Sequence, residues 1–237
     1  MYLFHTPDIT ESYYILNEEE SAHCVRVLRK KNGDTIQTID GKGGFYTAEI
    51  TDTNPKKCTV KIIESVKEFG KRNFYLHLAV APTKNIERFE WFLEKAAEIG
   101  IDEITPVICH QSERKSVKTE RLDKILVSAM KQSLKAYLPK LNEAVSFKEF
   151  INADFAGKKF IAHCQLSESS NKIHLKSTYQ KQQSALILIG PEGDFSKEEI
   201  KLALEKKYTE INLGNARLRT ETAAVVATTV INLMNES

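Results

Sequence analysis

Net charge is nearly absent from this chain: 34 Lys and Arg against 32 Asp and Glu leave +2 over 237 residues. A whole-chain basic bias of the kind that holds nucleic acid without specificity is thereby excluded, so any RNA contact must come from local clustering. Cysteine is scarce too. Cys24, Cys58, Cys109 and Cys164 stand far apart and lack paired metal-ligand spacing, so they read as reduced cytosolic thiols with no metal. No stretch reaches the ~20 apolar residues of a membrane span. Met1–Pro7 carries neither a charged leader nor a long apolar core, and a cytoplasmic chain without a membrane partner is expected. Internal repeats and low-complexity tracts are missing as well. So are two glycine signatures of nucleotide enzymes: no loop closes on Gly-Lys-Ser/Thr, and no Gly-x-Gly-x-x-Gly opens a helix.

What is present divides near Phe69–Arg72 into two expected domains, 1–70 and 71–237, with 41% apolar residues to build their cores. The first holds short alternating segments, Thr35–Ile39, Tyr46–Thr51 and Cys58–Ile63. A turn-rich run, Asp40–Gly44, separates the first two, and together they predict a small β domain. In the second, apolar strands such as Leu76–Ala81 and Phe160–Ala162 alternate with helical stretches over Ile86–Ile99 and Glu120–Leu138. That alternation predicts an α/β domain with a parallel sheet.

The chemistry concentrates in two motifs near the C-terminal end. Ser184–Ile189 reads as a buried strand, and Gly190-Pro191-Glu192-Gly193 as the loop it feeds, the usual ligand position at the carboxyl edge of a parallel sheet. Gly190 and Gly193 let backbone approach a flat group, and Pro191 stiffens the turn, which suits a nucleoside better than a phosphate chain. Ser196 with Glu199 forms a capping box, and Phe195 with Ile200 a hydrophobic staple, for the helix that follows. In the second motif Ile211-Asn212-Leu213 is a short strand broken by Gly214, and Thr220 is positioned to cap a helix whose interior is Ala223–Ala227. Arg217, Arg219 and Glu221 then sit on a loop and a first helical turn. Glu221 could equally be favoured there by the helix dipole alone, with Arg219 as its partner.

These residues resemble the SPOUT-class 16S ribosomal RNA (uracil-N3)-methyltransferases, the RsmE family. The likeness rests on Gly190-Pro191-Glu192-Gly193 and on Leu213-Gly214 with Leu218-Arg219-Thr220-Glu221-Thr222-Ala223. It extends upstream through His23-Cys24-Val25-Arg26-Val27-Leu28-Arg29, Lys95–Gly100, Ser112-Glu113-Arg114, and Gln132-Ser133 with Pro139, so it spans nearly the whole chain. The chain departs from the family's usual pattern at Asp194, at Asn215-Ala216, where Arg217 is displaced by one, and at Leu134-Lys135.

The resemblance implies a PUA-like β-barrel before a SPOUT domain with a deep trefoil knot, S-adenosylmethionine as methyl donor, and a homodimer. Its implied substrate is 16S ribosomal RNA in the small ribosomal subunit. The donor site would be formed by Ile189, Gly190, Pro191, Glu192, Gly193, Leu213, Gly214, Leu218 and Thr220. Uracil N3 is a poor nucleophile until its proton leaves, so the site needs a base and charge stabilisation. Glu221 or Asp194 would assist proton removal, and Arg219 would stabilise charge on the uracil oxygens or orient the base. Because N3 is hidden in a paired base, the uridine must be presented unstacked.

Arg26, Arg29, Lys30 and Lys31 follow a helical stretch; they suit phosphate contacts, as does Arg114 more weakly, although cations also favour a solvated helix end. His163-Cys164 does not read as a catalytic dyad, since neighbours in a strand point to opposite faces. Trp91 could stack on a base or simply pack its helix. The alternatives to this reading are a SPOUT enzyme acting elsewhere on RNA, such as a ribose 2′-hydroxyl, a non-catalytic RNA-binding relative, and an α/β enzyme acting on a small nucleotide.

Overall fold

The computed structural model describes residues 2–10, 12–165 and 172–236, so Met1 and Ser237, the ends of the expected domains, lie outside the described residues. One compact unit takes in Met1–Lys71 and Val127–Leu138; a second takes in Arg72–Leu126 and Pro139–Ser237.

In the first unit β1 (Leu3–His5), β2 (Tyr13–Ile15), β3 (Thr35–Ile39), β4 (Phe45–Asp52) and β5 (Thr59–Val66) form a sheet in the order β1-β3-β4-β5-β2. β1 runs parallel to β3, and the other neighbours are antiparallel. The three longer strands lie where alternation predicts them, whereas β1 and β2, three residues each, are too short to display a period of two. Helix α1 (Glu18–Ala22) starts at Asn17, whose side chain accepts the Glu20 N–H, and runs into a π-turn at His23–Val27. Phe4, Leu16, Cys24, Ile36, Ile50 and Val60 fill the space beneath.

The second unit holds a parallel sheet in the order β11-β13-β10-β12-β6-β7-β8, with β9 beside β7. Its strands are β6 (Leu76–Val80), β7 (Glu103–Ile108), β8 (Lys140–Leu141), β9 (Val145–Ser146), β10 (Lys158–Ala162), β11 (Ile173–His174), β12 (Ala185–Ile189) and β13 (Thr209–Asn212). Helices α2 (Ile86–Ile99), α3 (Thr119–Gln132), α4 (Phe147–Phe150), α5 (Leu175–Thr178), α6 (Lys197–Glu205) and α7 (Thr220–Asn235) complete the element order, with α3 belonging to the first unit from Val127 onward. β6 and β12 are buried at every residue, so β12 reads as a continuous apolar run and β6 as one interrupted only by His77, rather than as alternating strands. The expected α/β architecture with a parallel sheet is met.

Three local expectations are corrected. The helix expected to run to Leu138 stops at Gln132: Leu134 takes φ 58°, Lys135 N–H reaches the Met130 carbonyl at 3.1 Å and Leu134 N–H the Lys131 carbonyl at 3.3 Å. That pair of bonds is a Schellman stop, and a leucine where glycine usually sits gives no sequence warning. Thr220 is the first residue of α7 rather than its cap; Arg219 occupies the cap position and makes no side-chain capping bond. His163-Cys164 lies beyond β10, so the strand argument does not apply; the His163 side chain is instead committed to Glu210, with 2.8 Å between Nε2 and Oε1.

One buried group sets an acid limit on this unit. His77 on β6 is 7% exposed, its Nε2 lies 2.8 Å from Thr105 Oγ1, and its Nδ1 lies 3.8 Å from Glu103 Oε2. Burial lowers its pKa from 6.5 to about 4, with Glu103 offsetting only part. Burial pushes Glu103 the other way, yet donors from Asn142, Tyr75 and Lys140 outweigh it and hold the carboxyl at about 2. Between pH 6.5 and 4 the unfolded chain therefore binds a proton at residue 77 that the folded chain refuses, and stability falls as pH drops through that window. The loss is on the order of 3 kcal/mol at most. Urea midpoints at pH 7 and pH 4.5 should separate more for the wild type than for His77→Asn; equal separations would clear His77.

Candidate active site

The loops that follow β10, β12 and β13 lie at the carboxyl ends of three neighbouring parallel strands, and each was shaped by a different local signal. After β12, Asp194 N–H closes a turn on the Pro191 carbonyl at 2.9 Å. A Cβ at Gly190 would stand 3.0 Å from the Phe195 ring, so the backbone can fold over that buried side chain only without one. Phe195 is fully buried, packs with Phe147, and joins Ile200 in the core beneath the loop. Ser196 and Glu199 form the predicted capping box, and Glu199 also accepts His110 N–H at 2.8 Å, binding the start of α6 to the segment after β7. After β13, Gly214 adopts φ 126°, a conformation closed to side-chain-bearing residues at low cost. Thr220 then donates its hydroxyl to the Gly190 carbonyl at 2.9 Å in a buried contact, joining the two motifs.

Together these loops surround a cavity of about 880 Å³. Of the residues expected to hold a donor, Pro191, Glu192, Leu213, Gly214, Leu218 and Thr220 line it, while Ile189, Gly190 and Gly193 shape the turn without lining it. Arg219 and Asp194 line it too. Asp194 takes φ 66°, and its carboxylate accepts two backbone N–H groups, from Cys164 and Phe195, each at 2.8 Å. The loops after β10 and β12 are thereby tied together.

Glu221 points elsewhere. It is absent from the lining, its side chain is 8% exposed, Oε1 lies 4.0 Å from Arg88 Nε, and Oε2 has no hydrogen-bond partner. Its cation is Arg88 on α2, not Arg219, which stays exposed in the cavity wall.

Four polar lining residues escaped assignment to the site from the sequence: His163 was weighed only as half of a dyad, Asn212 only as part of a strand, and Gln165 and Lys172 not at all. For His163, Gln165 and Asn212 the signal was position, since they lie at or just beyond the carboxyl ends of β10 and β13, whereas Lys172 stands at the amino end of β11 and carried no such signal. Burial, with Lys172 nearby, lowers the His163 pKa against the pull of Glu210. Lys172 donates to the His163 carbonyl at 2.9 Å, and Asn212 Nδ2 to the Lys172 carbonyl at 2.8 Å.

The remaining candidates serve other ends. Arg114 donates through Nε to the Thr83 carbonyl at 3.0 Å and through Nη2 to the Lys84 carbonyl at 2.8 Å, while Glu192 accepts Lys84 N–H at 2.9 Å. Both brace the loop after β6. Trp91 is 43% exposed on α2 rather than packed away. In the first unit Arg26 and Arg29 are exposed, and Lys30 Nζ reaches the Thr35 carbonyl at 3.1 Å. Among the described residues no group of three or more His, Cys, Asp or Glu is placed to hold a metal, and no helix is long and apolar enough to cross a membrane.

A parallel α/β sheet with a cavity at its carboxyl edge, walled by loops and arginines, is the arrangement of an α/β enzyme that takes its ligand at the ends of its strands. Residues 71–232 match the family described as "RNA methyltransferase domain", and the chain belongs to it; residues 16–63 match its "RNA methyltransferase PUA domain". Among relatives, the chain is 28% identical to the Ribosomal RNA small subunit methyltransferase E of Rickettsia conorii over 92% of this chain and 89% of that one. The solved structure of a "probable rRNA-methyltransferase" from Porphyromonas gingivalis matches at 38% identity with TM-score 0.92, covering 99% of this chain and 98% of that one. The solved structure of a "putative methyltransferase" from Legionella pneumophila, in complex with the bound cofactor SAM, matches at 27% identity with TM-score 0.85, covering 98% of this chain and 97% of that one. The resemblance read from the motifs is thus met.

Proposed function

We propose that this chain methylates N3 of a uridine in 16S ribosomal RNA of the small ribosomal subunit, with S-adenosylmethionine as donor, as a cytoplasmic homodimer in which residues 1–70 dock RNA and 71–237 carry the chemistry. The observation that carries the reading is the cavity itself: two motif loops, tied by the bond from Thr220 to Gly190, set backbone and apolar side chains on one side of it and Arg219 in its wall. The relatives' names and the bound cofactor of the Legionella structure support donor and substrate.

The residues present fit the donor. Ile211, Leu213 and Leu218 offer apolar surface for a flat base, and Glu192 and Asp194 suit a cationic sulfonium. When bound, S-adenosylmethionine supplies an electrophilic methyl group. Arg219 offers a cation to the uracil oxygens as N3 gives up its proton, and Asp194, one of two carboxylates that line the cavity, has lone pairs left over to receive it. Glu221 acts from behind, bracing the first turn of α7 against Arg88. Support for the dimer comes from α7, where half-buried Val226 and Val230 and 58%-exposed Leu233 make an apolar stripe at helical spacing that a second copy would cover.

The test is methyl transfer from labelled S-adenosylmethionine to small subunits lacking the modification, read by nucleoside mass spectrometry. We expect 3-methyluridine. A 2′-O-methylated product would move the reaction to the ribose, and no transfer despite cofactor binding would sink the choice of RNA.

A further inference from the structure

We propose that the π-turn at His23–Val27 and the two residues after it form an apolar wedge that enters the RNA, with Val27 and Leu28 lodged between bases and Arg26 and Arg29 on the phosphates to either side. The inference rests on the RNA-docking reading of the first unit and adds to it a contact that is not electrostatic.

Val27 is 64% exposed and Leu28 37%, two adjacent apolar side chains held outside the core. They do not hang on a loose loop. Cys24 is fully buried beneath them, Leu28 N–H closes on the His23 carbonyl at 2.9 Å, and Lys30 N–H closes on the Cys24 carbonyl at 3.1 Å. Such π-turns are costly interruptions that recur at functional segments. Immediately after the apolar pair, Arg29 adopts φ 53°, a left-handed conformation that disfavours a long side chain and is retained where the surroundings impose it. Strain and exposed apolar surface therefore coincide within three residues.

Charge selects the occupant. Arg26 and Arg29 flank the pair, both are exposed, and neither has an ion-pair or hydrogen-bond partner among the described residues; Lys31, also exposed, follows. A protein surface or a second copy could cover Val27 and Leu28, but two free guanidinium groups on either side suit a polyanion. Aliphatic wedges between base steps, gripped by basic residues, are an established way to hold stacked nucleic acid open. A uridine whose N3 is to be methylated needs such unstacking.

The test measures equilibrium binding of the full chain to small subunits lacking the modification, across a potassium chloride series. The V27S/L28S chain should bind about tenfold more weakly with an unchanged slope of log affinity against log salt, whereas R26A and R29A should each flatten the slope by about 0.7–0.9. S-adenosylmethionine affinity should stay at the wild-type value in V27S/L28S, and the thermal midpoint should fall by only a few degrees, since Val27 is largely exposed and Leu28 is 37% exposed. Unchanged affinity of V27S/L28S overturns the wedge, as does weaker binding with a flattened slope. A lowered oligomeric mass in sedimentation with normal subunit binding assigns the pair to self-association and overturns it too. Wild-type chain that binds subunits without forming 3-methyluridine refutes the proposed reaction and leaves the wedge to be judged by the affinities; no binding by the wild type refutes both.

Discussion

Arg219→Ala should lower kcat for subunit methylation by about 10²–10³-fold, the loss typical of removing one fixed donor from a developing anion. The side chain is exposed in the cavity wall, caps nothing, and is not the partner of Glu221, so its removal leaves no buried group stranded. Stability should change by less than about 0.5 kcal/mol, as for an ordinary surface substitution. Affinity for S-adenosylmethionine should stay near wild type, because Leu213, Gly214 and Leu218 keep their backbone paths. Arg219→Lys should recover only part of the rate, since a point charge cannot reproduce the planar fork that meets two acceptors at once. The measurement is single-turnover methyl transfer beside calorimetric cofactor binding. A wild-type rate for Arg219→Ala would remove this residue from the chemistry, and a rate lost only through cofactor affinity would reassign it to donor binding.

The sequence carried the site's position better than its internal wiring, for reasons visible at single residues. Capping box, staple and buried strand around Ser184–Ile200 are local features, each set by residues three to five apart, and all three appear in the structure. The same holds for α2, which spans Ile86–Ile99 as expected from its periodicity, with Asn85 as its cap. What stayed hidden depended on distant partners. Nothing in Thr220 announces that its hydroxyl will reach Gly190, thirty residues away, instead of capping its own helix. Arg114 sits in a matched motif, but only the fold shows its guanidinium committed to the Thr83 and Lys84 carbonyls. Leu134 at positive φ contradicts its own propensity, and the end of α3 was misread for that reason.

Exchanging the two acidic candidates should separate base from brace. Asp194→Asn is close to isosteric, and asparagine tolerates the φ of 66° at this position, so the turn after β12 keeps its path. The amide still offers one acceptor oxygen to Cys164 or Phe195 but has no carboxylate lone pair to take the N3 proton. Loss of a general base costs about 10²–10⁴ in rate. We expect kcat to fall by about 10², while the thermal midpoint drops by only a few degrees for one weakened hydrogen bond. Glu221→Gln should behave in the opposite sense. Its carboxylate faces Arg88 across 4.0 Å, outside the cavity lining, and Arg88 is 42% exposed, so solvent screens much of the pairing. A modest loss of stability and kcat within about threefold of wild type are expected, because the brace is loosened without touching the proton's path. If Glu221→Gln instead lost the hundredfold in kcat and Asp194→Asn spared it, the first turn of α7 would have to rotate toward the cavity in the working complex, and the base would be Glu221.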